Sequence, residues 1–284
     1  MQRSVAIVTD STADLPAAHI REYDITVVPL SVLWEGRTYR EGVDLTPEEF
    51  YARLDASASL PSTSHPNPET FAEVFRSLAY SGREVYGLFL SARFSATYQA
   101  ARQAAQEIPG ARIVVEDSQT TSMALGFQVL AAARAAQRGE SLEQVRAAAA
   151  RARERSGILF VPRTLAYMRR GGRLGPLQYH LATALRILPV MEIREGGPVL
   201  VTRMRTFRRA VERMIDEVVR RTHDKPNLRL ALLHAAAPEM AAGVEASLLT
   251  RLQPIEVIRQ IIGPVLGIHT GPGLVGVAYQ WEEG

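Results

Sequence analysis

Val5-Ala6-Ile7-Val8-Thr9-Asp10-Ser11-Thr12 decides how the rest of the chain is read. Four apolar residues run without interruption and stop at Thr, Asp, Ser and Thr, side chains that cap helices. This pattern predicts a buried strand that feeds a helix. The same grammar returns at 85–90, before Ser91 and a helix over 97–108. It returns again at 113–115, before Asp117, Ser118 and a helix over 121–138. Strand alternating with helix predicts a parallel α/β sheet. Ligands of such sheets sit outside the carboxyl ends of the strands, where Asp10, Ser91, Ser95 and Asp117 all fall.

A Ser-x-x-Gln box at Ser141 and Gln144 opens a helix that ends near Gly157, where the character of the chain changes. Two α/β domains are expected, 1–156 and 157–284. In the second, strands are expected at 157–161 and 188–193, a hairpin turn at Gly196-Gly197 and a returning strand at 199–204. Helices over 208–222 and 239–252 and strands at 228–233, 255–261 and 274–279 complete a mixed sheet with helices. No repeat or low-complexity linker separates the halves, so they are expected to pack tightly.

The chain has 284 residues, 46% hydrophobic, 22% charged and 7% aromatic, and no cysteine. That composition is globular and excludes disulfides, thiolate metal sites and a cysteine nucleophile. Basic residues exceed acidic ones by 33 to 30, with both signs mixed along the chain, which disfavours nucleic acid as a partner. Every basic residue except Lys225 is arginine, spread too evenly to mark one anion site. The apolar stretch ending at Asp10 is too short for a signal peptide, and no window reaches the roughly 18 apolar residues of a spanning helix. A cytoplasmic protein is expected.

Four segments and two acid–hydroxyl pairs could carry chemistry. Pro61-Ser62-Thr63-Ser64-His65-Pro66 holds three hydroxyls and an imidazole between prolines that keep the backbone extended; it could present a hydroxyl to an anion, while Ser64 or Asn67 could cap the next helix. Ser95 lies between a buried strand and a helix start, where free amides favour negative charge, although a serine at such a position is more often a cap than a ligand contact. Gly267-Ile268-His269-Thr270-Gly271-Pro272-Gly273 reads as a glycine-framed loop that brings His269 close to something else. Arg169-Arg170-Gly171-Gly172-Arg173 would let Arg173 approach an anion, without the spacing of a Walker loop. Asp10 with Ser11 and Asp117 with Ser118 could hold a metal or act as bases, and each fits a helix cap.

In their order and spacing these segments resemble the DegV family. Thr9-Asp10-Ser11-Thr12-Ala13-Asp14-Leu15-Pro16, Val28-Pro29-Leu30, Gly42-Val43-Asp44, Glu49-Phe50-Tyr51, Pro61-Ser62-Thr63-Ser64, Ser95-Ala96-Thr97-Tyr98, Asp117-Ser118, Gly171-Gly172-Arg173, Arg205 and His269-Thr270-Gly271-Pro272-Gly273 are similar to its motifs across nearly the whole chain. The resemblance implies a two-domain DegV-like α/β fold, with an N-terminal parallel sheet and a C-terminal mixed sheet. It also implies one long-chain fatty acid such as palmitate bound between the domains. The protein would be a lipid-binding subunit of phospholipid metabolism without an active site, cofactor or metal of its own. It would present the carboxylate to a separate ATP-dependent fatty acid kinase subunit for acyl phosphate formation, with transient contact to a membrane surface. Thr63, Ser95 and His269 would hold the carboxylate; Arg173, Arg205 and Thr270 would contact the carboxylate or the kinase. Two departures stand out: Ala96 replaces the family's common Gly, and His65 its common Gln. The apolar residues of 159–191 are candidate tunnel wall. The competing expectations are a stand-alone acyl-ester hydrolase using Ser95, His269 and Asp117, which lacks a Gly-x-Ser-x-Gly elbow, and a regulatory protein, for which no recognition helix is evident.

Overall fold

The computed structural model describes residues 4–57, 59–175 and 188–283. Strand β1 (Val5–Asp10) is buried along its whole length, because it lies centrally in a parallel sheet covered on both faces. Its partners are β2 (Ile25–Val28) and β6 (Glu84–Phe89), and β7 (Ile113–Asp117) pairs with β6, giving the order β2-β1-β6-β7, all parallel. The helices α1 (Ala17–Glu22), α3 (Pro68–Tyr80), α4 (Thr97–Gln106), α5 (Ser122–Gln137) and α6 (Leu142–Glu154) belong to this half. The expected box at the start of α6 is formed, with Ser141 Oγ accepting from Gln144 N and Gln144 Oε1 from Ser141 N.

The second sheet combines β8 (Ser156–Val161), β9 (Leu188–Arg194), β10 (Gly197–Met204), β11 (Arg229–His234), β12 (Glu256–Ile261) and β13 (Val275–Gln280) in the order β10-β9-β8-β13-β11-β12. All pairs are antiparallel except β11 with β12, so the sheet is mixed. Helices α8 (Phe207–Thr222) and α9 (Pro238–Leu249) cover its outer face. Two short helices, α7 (Ala166–Arg170) and α10 (Pro264–Thr270), follow β8 and β12. Because the parallel sheet is complete at Asp117 and the mixed sheet starts at Ser156, we propose the domain division at 156/157.

Strand alternation sorts the residues of each sheet between two faces. Leu159 and Val161 pack outward with Met214 and Val218 of α8, whereas Ile158 and Phe160 pack inward. Ala6 and Val8 likewise face Phe71 and Phe75 of α3, while Val5 and Ile7 face inward. Helix α5 lies between the inner faces, in contact with β1 and β6 on one side and β8 and β13 on the other. Met123, Leu125, Phe127 and Val129 are all buried, as expected of a helix that is apolar all round. Each such side chain contributes about 1.5–3 kcal/mol of burial, so the inner layer ties the two halves into one core.

Three expectations are corrected. The hairpin turn is Glu195-Gly196, both with positive φ (49° and 80°), while Gly197 already pairs with Arg194. The segment 61–66 is not a plain loop: β5 (Ser62–Ser64) pairs antiparallel with β3 (Ser31–Trp34), which pairs with β4 (Arg37–Arg40) in a third, small sheet that the sequence did not suggest. His269 lies not in a loop but in the last turn of α10, which Pro264 opens and Gly271 closes at φ 77°. Helix α2 (Pro47–Ala56), with a Thr46/Glu49 capping box, links the small sheet to this region.

Candidate functional site

A cavity of about 160 Å³ opens between the two sheets, roughly tenfold more than the 10–15 Å³ that one water needs, so it is more than a packing gap. Much of its wall is apolar, including Leu90, Phe94, Phe160, Met168, Leu233 and Leu266. Of the wall expected within 159–191, Phe160 and Met168 face the cavity, while Leu159 and Val161 belong to the outer core. Residues 176–187 of that stretch lie outside the described residues. The remaining wall was missed because an apolar residue facing a cavity and one facing a packed core carry the same sequence signal.

Polar groups gather on one part of this wall. Thr63, held in β5 opposite Val32, reaches His269: Thr63 Oγ1 lies 3.0 Å from His269 Nε2. Burial, aided by the nearby Arg173 guanidinium, pushes the imidazole down to a pKa of about 4, so it is neutral at pH 7 and carries one ring hydrogen. Nδ1 is buried and has no hydrogen-bond partner among the described residues. A buried N–H left unpaired costs more than a buried lone pair beside carbon, which assigns the hydrogen to Nε2. Nε2–H then donates to Thr63 Oγ1, and the Thr63 hydroxyl hydrogen is free to donate to an acceptor in the cavity.

Two glycines make this arrangement possible. A methyl on Gly171 would overlap His269 Nδ1, and one on Gly271 would overlap the Tyr167 ring, so only bare backbone lets α7 and α10 approach so closely. The glycine framing of His269 in the sequence therefore has a packing cause.

Arg173 donates from Nε to Phe94 O (3.3 Å) and from a terminal nitrogen to Gly171 O (2.6 Å). No carboxylate pairs with it among the described residues, so a half-buried cation faces the cavity beside His269 with only carbonyls for partners. Ser95 lines the cavity as well; its Oγ lies 2.8 Å from Thr97 Oγ1 and accepts from Thr97 N at 3.3 Å. Ser95 thus bonds the first residue of α4 while lining the cavity, and the N-cap position itself is Ala96, which makes no side-chain cap bond. Thr270 lines the cavity but donates its hydroxyl to Leu266 O at 3.0 Å.

Ala96, the departure from glycine, sits at φ −78°, where a methyl is unstrained. His65 is exposed at the cavity edge. Arg205 is exposed between β10 and α8 and is not part of the cavity wall, which separates it from the other expected site residues.

The geometry does not assemble a hydrolytic triad. His269 bonds Thr63 rather than Ser95, its Nδ1 meets no carboxylate, and Asp117 at the end of β7 accepts from Gln119 N at 2.8 Å. Asp10 is likewise a cap: its carboxylate accepts from Thr12 N (2.9 Å), Thr12 Oγ1 (2.6 Å) and Leu90 N (2.8 Å), binding the ends of β1 and β6. Burial holds its pKa above the usual carboxylate range. Among the described residues no group of three or more His, Asp or Glu side chains could hold a metal ion, and no helix is long and apolar enough to cross a membrane.

A family model described as "Uncharacterised protein, DegV family" matches residues 4–282. A DegV domain-containing protein of Streptomyces coelicolor is 37% identical over 279 residues, covering 98% of both chains. A solved DegV family protein from Thermus thermophilus, described for its fatty acid binding, is 34% identical with a TM-score of 0.92, covering 98% of this chain and 100% of that one. DegV from Bacillus subtilis, a fatty acid binding protein, is 27% identical with a TM-score of 0.93, covering 99% and 100%. A stearic acid-binding protein from Eubacterium ventriosum is 27% identical with a TM-score of 0.86, covering 98% of each.

Proposed function

This chain belongs to the DegV family, and from that membership we propose that it binds one long-chain fatty acid in the cavity between its sheets. The observation that carries the reading is the pairing of an apolar cavity with a cluster of donors on its wall: the Thr63 hydroxyl backed by His269, the Ser95 hydroxyl, and the Arg173 guanidinium. A carboxylate taken out of water needs several charge-assisted hydrogen bonds, worth about 1.5–3 kcal/mol each. The tail would contribute about 0.8 kcal/mol for every methylene buried. The head group would then set orientation and the tail much of the affinity.

We further propose that the bound acid is presented to a separate ATP-dependent kinase subunit that forms the acyl phosphate, this chain supplying the substrate and not the catalytic groups. Arg205, exposed and apart from the cavity, is available for docking such a partner. A cytoplasmic setting, a place in phospholipid metabolism and transient contact with a membrane surface accord with a lipid cargo. The test compares palmitate with hexadecanol, which has the same tail and no carboxylate, on lipid-stripped protein by calorimetry. Palmitate should bind at least about a hundredfold more tightly; equal affinities would remove the proposed head-group site.

A further inference from the structure

Two buried carboxyls lie outside the cluster just described. Asp14, in the turn after β1, and Glu41, just after β4, are only 6% and 5% exposed. Both point at the junction between β12 and α10. Asp14 Oδ1 accepts from Gly263 N at 3.0 Å, and Glu41 Oε1 accepts from Val265 N at 2.7 Å. Tyr51 of α2 adds a third bond, its hydroxyl donating to Ile262 O at 3.1 Å. Three side chains from the N-terminal half thus hold Ile262, Gly263 and Val265 of the C-terminal half, and of these Ile262 and Val265 line the cavity. The second oxygen of Asp14 accepts from Ser122 Oγ at 2.5 Å, and Ser122 is also a wall residue.

The approach is close because residue 263 is glycine. A methyl there would come within 2.5 Å of Glu41 Oε1 and 3.2 Å of Asp14 Oδ1, so the two carboxyls meet at one Cα. Four residues after the second anchor, the same helix delivers His269 to Thr63.

We infer that Asp14 and Glu41 are positioning residues of the ligand cavity, gripping the amides of Gly263 and Val265 so that α10 holds His269 against Thr63. The inference rests on the reading of the cavity as a fatty-acid site. It assigns a role to two acidic side chains that neither touch the cavity donors nor form an ion pair among the described residues.

The experiment separates stability from binding. Glu41→Gln keeps an oxygen for the Val265 amide, and Glu41→Met keeps the length but offers no acceptor. Glu41→Met leaves the buried Val265 amide without its acceptor, so that variant should unfold at a lower temperature than wild type. Assayed at a temperature where it stays folded, it should bind palmitate about tenfold more weakly, while the Gln variant stays within about threefold of wild type. A folded Met variant with wild-type affinity would overturn the inference. If the Met variant does not fold, amide hydrogen exchange on the wild-type protein decides. Gly263 and Val265 should exchange as slowly as core amides, and exchange at free-peptide rates would overturn the grip. Wild-type protein that takes up no palmitate would instead defeat the fatty-acid reading, and hydrogen exchange would still judge the grip on its own.

Discussion

His269 Nε2 and Thr63 Oγ1 stand 3.0 Å apart although 206 residues separate them in the chain, one on a short helix of the C-terminal half and the other on a three-residue strand of the N-terminal half. Closing the two halves on each other is what forms the pair. With the ring hydrogen on Nε2, the histidine acts through the threonine, and that relation can be measured. Thr63→Val should weaken palmitate binding by about tenfold or more, the loss expected for one hydrogen bond to a charged group. His269→Ala should cost less in the Thr63→Val background than in wild type, a non-additivity read by calorimetry over the four proteins. Strict additivity would mean that the two side chains act separately.

Protonation of His269 predicts how stability responds to acid. Its folded pKa of about 4 lies below the ordinary 6.5, so the unfolded chain binds more protons between those values. The stability supplied by the neutral ring is full above about pH 6.5 and is lost as pH falls toward 4, up to about 3 kcal/mol. Thermal unfolding of His269→Gln should show a shallower fall over that window. A parallel slope in both proteins would contradict the assignment.

The Asp14–Glu41 pair predicts the opposite slope, over a window that overlaps that of His269 and extends to higher pH. Burial raises their pKa values to about 7 and about 8, from ordinary carboxyl values of 3.8 and 4.5. The folded protein then holds more protons than the unfolded chain, so stability declines as pH rises from about 4 to about 8. The groups that face the pair are Asp10, Ser11, Tyr51 and Ser122, none of them a cation. Unfolding temperatures of Glu41→Gln should fall less steeply than wild type between pH 5 and 8.

Strand β8 separates wall from core within two residues. Leu159→Ala empties a site in the outer core and should cost about 2–5 kcal/mol of stability with no change in the preferred chain length. Phe160→Ala enlarges the cavity and should shift preference toward longer or bulkier acyl chains. Competition between palmitate and stearate for each variant, beside a denaturant titration, checks both.

Arg205 offers a test of partnership. Arg205→Glu should leave palmitate affinity within about twofold of wild type, since the residue lies off the cavity wall, while lowering acyl phosphate formation by an added kinase subunit at least about tenfold. Unchanged transfer would remove Arg205 from the docking surface.

How much of this was legible in the sequence depended on how the local signal arose. The parallel sheet was readable because β1 and β6, buried on both faces, are continuous apolar runs that end in cap residues. The small sheet was not, because β5 is Ser-Thr-Ser between prolines and its pairing with β3 owes nothing to apolar patterning. The helix carrying His269 was hidden by its own punctuation: Gly267, Gly271, Pro272 and Gly273 read as loop, yet Pro264 opens a helix and Gly271 ends it. The donor residues were singled out by residue type and order, while the contact between Thr63 and His269 required the fold. Asp14 was visible only as part of a motif and Glu41 not at all, since a carboxyl buried against backbone amides leaves no periodic trace.

The most direct measurement is to denature the protein purified from its producing cells, extract it with organic solvent and identify the released lipid by mass spectrometry. Fatty-acid binding predicts a near-stoichiometric long-chain fatty acid, with the amount sharply reduced in Thr63→Val. An empty extract, unchanged after incubation with palmitate and other long-chain acids, would contradict it.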